Sequence, residues 1–93
     1  MKSGKILVVD DNKGIRDALK ILLGGCFTQV LTLSSPTSLT STVEQMMPDV
    51  ILLDMNFKAD INSGNEGLFW LSEIKKRWPE MPVVLFTAYA DIS

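Results

Sequence analysis

VILLDMN, residues 50–56, decides the fold. Val50, Ile51, Leu52 and Leu53 form an unbroken apolar run that ends in Asp54. Pro48 and Asp49 open it. A short run without alternation, bounded by turn residues, predicts a strand covered on both faces. Asp54 is then placed where that strand leaves the core. In open parallel sheets this carboxyl edge is where ligands bind.

Ile6-Leu7-Val8-Val9 is a second unbroken apolar run, and it too ends in acids, Asp10 and Asp11. Asn12 is placed to cap a helix. Ile15, Ala18, Leu19, Leu22 and Leu23 recur at three and four and form its apolar stripe. Gly24-Gly25 ends it. Residues 27–33 alternate apolar and polar, which predicts a less buried strand at the sheet edge. Ser34, Ser35 and Pro36 then open a Ser/Thr-rich helix over residues 37–47. After Asp54 the polar segment 57–66 is longer than a typical strand-to-helix connection of about 2–6 residues. A third helix over residues 66–78 carries Leu68, Phe69, Leu71, Ile74 and Trp78 on its apolar side, and Pro79 stops it. Pro82 leads a last strand, Val83-Val84-Leu85-Phe86, which runs into Thr87 and Ala88. Strands alternating with helices predict right-handed crossovers and a parallel sheet with helices on both faces.

Composition narrows the function. The 93 residues are 46% hydrophobic and 22% charged, enough for one globular domain and too apolar for disorder. The net charge of −2 and the lack of a basic cluster speak against nucleic-acid binding by this segment. With one cysteine and no histidine, the chain has no disulfide framework, no Cys/His zinc site and no Ser-His or Cys-His pair. No signal-peptide pattern or membrane-length apolar run is visible, so a cytoplasmic location is expected. Cys26 reads as a small buried hydrophobe.

Three apolar strands therefore end in Asp10-Asp11, Asp54 and Thr87. Side by side in a parallel sheet, these ends share one edge. Clustered carboxylates raise each other's pKa. A hard divalent cation relieves that repulsion, and Mg2+ takes carboxylates supplemented by water and phosphate. A carboxylate can also attack phosphorus to give an aspartyl phosphate. Taken singly, each feature has a plainer reading: Asp10-Asp11 as a turn and helix cap, Asp54 as a turn residue, Thr87 as a strand-end threonine. Their joint occurrence favours a site.

In KILVVDD (5–11), PDVILLDMN (48–56), GLFWL (67–71) and PVVLFTAYAD (82–91), the chain resembles the receiver domain of two-component response regulators. The resemblance implies a flavodoxin-like, doubly wound α/β/α fold with strand order 2-1-3-4. By that resemblance Asp54 matches the phosphoacceptor. Asp10 and Asp11 match the acidic pair that holds Mg2+ together with Asp54 and the backbone carbonyl of Asn56. Thr87 matches the switch hydroxyl, and Ala88 the small residue beside the phosphate. The implied partner is a sensor histidine kinase, and the implied output is transcription regulation through a separate DNA-binding domain. The family's lysine at the end of a fifth strand has no counterpart here, and the loop after Asp54 lacks the usual Met-Pro. Residues 1–93 are thus expected to be a receiver truncated before its fifth strand. Its exposed fourth-strand edge would invite a homodimer or swapped assembly. Two other readings stay open: an interaction module that works without phosphorylation, and a magnesium phosphohydrolase.

Overall fold

The computed structural model describes residues 3–54 and 66–86. In chain order these form β1 (Lys5–Val9), α1 (Lys13–Leu23), β2 (Gln29–Leu33), a 3-10 turn (Pro36–Ser38), α2 (Leu39–Met46), β3 (Val50–Asp54), α3 (Glu66–Arg77) and β4 (Val83–Phe86). The four strands make one parallel sheet in the order β2-β1-β3-β4, the order that the resemblance to receiver domains implies. The crossover from β1 to β2 and those toward β3 and β4 run in opposite directions across the sheet. Right-handed connection then puts α1 on one face and α2 and α3 on the other.

The core lies on the α2/α3 face. Leu7, Val9, Ile51 and Leu53 point into it, by the strand period of two, and meet Leu39, Val43, Met46, Ile74 and Met81. Trp70, Leu71 and Trp78 of the α3 segment pack around that cluster. The predicted apolar side of this helix is corrected in one respect: Phe69 is half-exposed and sets its ring edge-on to Trp70, which does the packing. Met81 is a core residue.

Polar links at the lower end of the sheet set the register that matters for function. The Lys5 backbone N–H donates to Asp49 Oδ2 at 2.7 Å, and the Asp49 N–H donates to the Lys5 carbonyl at 2.8 Å. Lys5 Nζ also donates to the Met46 carbonyl at 3.1 Å. These bonds start β3 beside β1 with Ile6 facing Val50 and Val9 facing Leu53. A slip of one residue would turn every side chain of β3 to the wrong face. The next step in this register brings Asp10 beside Asp54.

Several local expectations change. The amphipathic stripe of α1 contributes no fully buried residue, and Leu22 on that stripe is exposed. Its N-cap is Asn12, as expected. Gly24 closes the helix in right-handed geometry rather than as a left-handed cap. A Cβ there would come within 2.9 Å of the Lys20 carbonyl, so close approach explains the glycine. Cys26 is exposed, not buried. It sits in the surface turn after α1, its N–H tied to the Leu23 carbonyl at 2.9 Å, where the chain has no core to enter. The Ser/Thr-rich segment opens with the 3-10 turn, capped by Ser35 Oγ accepting from the Thr37 N–H, before α2 proper begins.

Candidate functional site

The carboxyl ends of β1 and β3 bring Asp10, Asp11 and Asp54 together. One carboxylate oxygen from each lies within 4.8 Å of the others. Asp10 is 0% exposed and Asp54 2%, the two buried charged residues of the described chain; Asp11 is half-buried. Burial at these values separates the acids from ordinary turn residues, which face water.

Hydrogen bonds from β2, the β1–α1 turn and α1 hold Asp10 at three points. Its N–H donates to the Leu33 carbonyl at 3.0 Å, extending the ladder with β2. Its Oδ1 accepts the Asn12 N–H at 2.9 Å. Its own carbonyl accepts from Arg16 Nη1 at 2.9 Å. Asn12 in turn caps α1, with Oδ1 accepting the Ile15 N–H at 3.0 Å. The acid, the cap and the helix start are therefore one hydrogen-bonded unit.

The second oxygen, Asp10 Oδ2, is buried with no hydrogen-bond partner. Such an atom carries the full desolvation penalty of a buried acceptor. Burial accordingly pushes the Asp10 carboxyl above its ordinary pKa. The Asn12 N–H pulls it down, Asp11 pushes it up, and the Arg16 guanidinium pulls it down. An all-oxygen donor set with one orphaned buried oxygen fits a hard divalent cation.

Residues 6–93 match the response regulator receiver domain family. The chain belongs to that family. A solved N-terminal signal receiver domain of a two-component response regulator from Bacteroides fragilis shares 53% identity at a TM-score of 0.82, covering 97% of this chain and 70% of that one. A solved, transiently phosphorylated "switch" of bacterial signal transduction shares 31% identity at a TM-score of 0.71, over 98% of this chain and 69% of that one. The DNA-binding transcriptional regulator NtrC of Salmonella typhimurium is 33% identical over 92 residues, which are 99% of this chain and 19% of that protein. This receiver domain thus spans about a fifth of the length of the curated relatives it matches.

Of the site residues expected from sequence, Asp10, Asp11 and Asp54 converge in the receiver's acidic pocket. Asn56, Thr87 and Ala88 lie outside the described residues. Arg16 was not anticipated. The sequence did hold a cue: Arg16 follows Asp10 by six residues on α1, and helical side chains lean toward the N-terminus, back over the turn that leads in. Among the described residues no helix is long and apolar enough to cross a membrane.

Proposed function

We propose that Asp54 accepts a phosphoryl group and that the change of charge at this edge is the signal the domain transmits. The observation that carries this is the burial of Asp54 at the end of β3, within 4.8 Å reach of Asp10 and Asp11. A phosphohistidine of a sensor kinase is the donor that fits a receiver. In the transfer, an Asp54 carboxylate oxygen forms a bond to phosphorus as the phosphorus–nitrogen bond breaks, and the imidazole leaves with the electron pair and takes a proton. Hydrolysis of the acyl phosphate by water restores the carboxylate.

Asp10, Asp11 and Asp54, with the Asn56 carbonyl, would hold Mg2+. When bound, that ion supplies charge neutralisation for the carboxylates and the incoming phosphoryl oxygens. The protein's own part is placement. The Asp49–Lys5 bonds fix the register that sets Asp54 against Asp10, and the Asn12 N–H orients the Asp10 carboxylate. Thr87 is the hydroxyl proposed to report the phosphoryl group, and Ala88 the small residue that leaves it room. Relatives such as NtrC, a DNA-binding regulator, suggest control of transcription through a separate domain.

The test is to incubate the full-length protein with a small phosphodonor and Mg2+, then seek a hydroxylamine-labile phosphoryl adduct by intact mass. Asp54→Asn should abolish it, and chelation of the metal should suppress it in the unsubstituted protein. Equal labelling of Asp54→Asn would overturn the assignment.

A further inference from the structure

Arg16 stands on α1, outside the acidic cluster, yet it is bonded to the cluster's backbone. Its Nη1 donates to the Asp10 carbonyl at 2.9 Å, and its charge is felt at the Asp10 carboxyl. The surrounding packing makes this link matter. β1 stops at Val9, and α1, which begins at Lys13, contributes no buried residue. The apolar residues of α1 nearest the turn, Ile15 and Leu19, are only half-buried, so apolar burial alone does not clamp the turn over residues 10–12. Polar links do, and two run from the start of α1 back to Asp10: the Asn12 N–H to the carboxylate and the Arg16 guanidinium to the carbonyl.

We propose that Arg16 is a positioning residue for the divalent-cation site, holding the Asp10 carbonyl so that the Asp10 carboxylate stays aimed at Asp11 and Asp54. This deepens the reading of the site as a Mg2+-dependent phosphoacceptor and rests on it. Two effects of Arg16 on a cation oppose each other. Its positive charge repels the ion, so charge alone predicts tighter binding when it is removed. Its hydrogen bond orders a ligand, and loss of such outer supports typically weakens metal binding about 10–100-fold. Arg16 is half-buried at a water-facing edge, where charge effects are screened. Geometry therefore dominates, and the sign of the change separates the two.

The experiment titrates the full-length protein with Mg2+ by calorimetry and with Mn2+ by electron paramagnetic resonance, without any phosphodonor. Circular dichroism checks the fold of each variant. Arg16→Met, similar in length but without a donor, should weaken both ions about tenfold or more. Arg16→Lys keeps the charge and one donor to the carbonyl, and should recover at least half of that loss on a logarithmic scale. Unchanged or tighter binding by Arg16→Met overturns the proposal, as does an Arg16→Lys no better than Arg16→Met. Should Arg16→Met not fold, Arg16→Lys alone decides: a loss of about threefold is expected, since an ammonium lacks the planar fork, and an unchanged affinity overturns it. If the unsubstituted protein binds neither ion, the reading of the site falls and this inference with it.

Discussion

Asp10 concentrates the cost of the site in one side chain. Its carboxyl is buried, one oxygen has no partner, and burial raises its pKa from the ordinary 3.8. Between that value and the raised one, the folded chain binds more protons than the unfolded chain. Stability of the metal-free protein therefore falls as pH rises through this window, and the full penalty is present above it. Asp10→Asn keeps the Oδ1 that accepts the Asn12 N–H and removes the charge. In metal-free buffer at pH 7 it should stabilise the fold by on the order of 1 kcal/mol, a rise in Tm of about 4–8 °C. Mg2+ should then raise the Tm of the native protein but not of the variant. Thermal unfolding with and without chelator reads both. The acids were readable because each ends an apolar run. Arg16 was harder to read: its spacing from Asp10 was a cue, but its partner is a backbone carbonyl, which has no letter in the sequence. Cys26 was misplaced for a related reason: a small apolar residue carries no sign of whether a core is within reach.

The helices show where periodicity succeeds and where it stops. α1 follows its predicted cap and stop closely, since Asn12 and Gly24 act through local bonds. Its stripe says which side is apolar, not that anything covers it. α2 ends in a less expected way. Met47 closes it in the left-handed region, with φ 50° and ψ 64°, and its side chain is 53% exposed. A residue with a Cβ is strained there, and glycine is the usual solution. Met47→Gly should stabilise the domain by about 0.5–1 kcal/mol, since an exposed methionine gives up little packing. A higher urea midpoint with an unchanged slope would confirm it, and a lower midpoint would show that the Met47 side chain contributes more than its exposure suggests. Gly4, at φ +89°, already uses this freedom, and a Cβ there would press on Asp49 Oδ2 at 3.1 Å, against the bonds that set the β1–β3 register.

Alternating strands and helices with one handedness made the parallel sheet readable, and the resemblance to receiver domains supplied its order. What flanks the last strand was not. Among the described residues β4 has β3 as its only strand neighbour. Val84 is 48% exposed, and β4 carries neither a charge nor an internal proline to guard it. The 93-residue chain is therefore expected to self-associate in sedimentation velocity, with Val84→Lys shifting it toward monomer; a monomer at all concentrations would reject this. The opposite face carries a different consequence. α1 is amphipathic and only half-buried at Ile15, Leu19 and Leu23, so less apolar surface holds it to the sheet than holds the core together. Local opening of that one helix is expected to cost less than unfolding the core, and it would carry off Asn12 and Arg16 together. The pocket is thus built on the buried strand β1 and tied to a helix with no fully buried residue. Amide exchange in residues 13–23 is therefore expected to slow when a cation is bound.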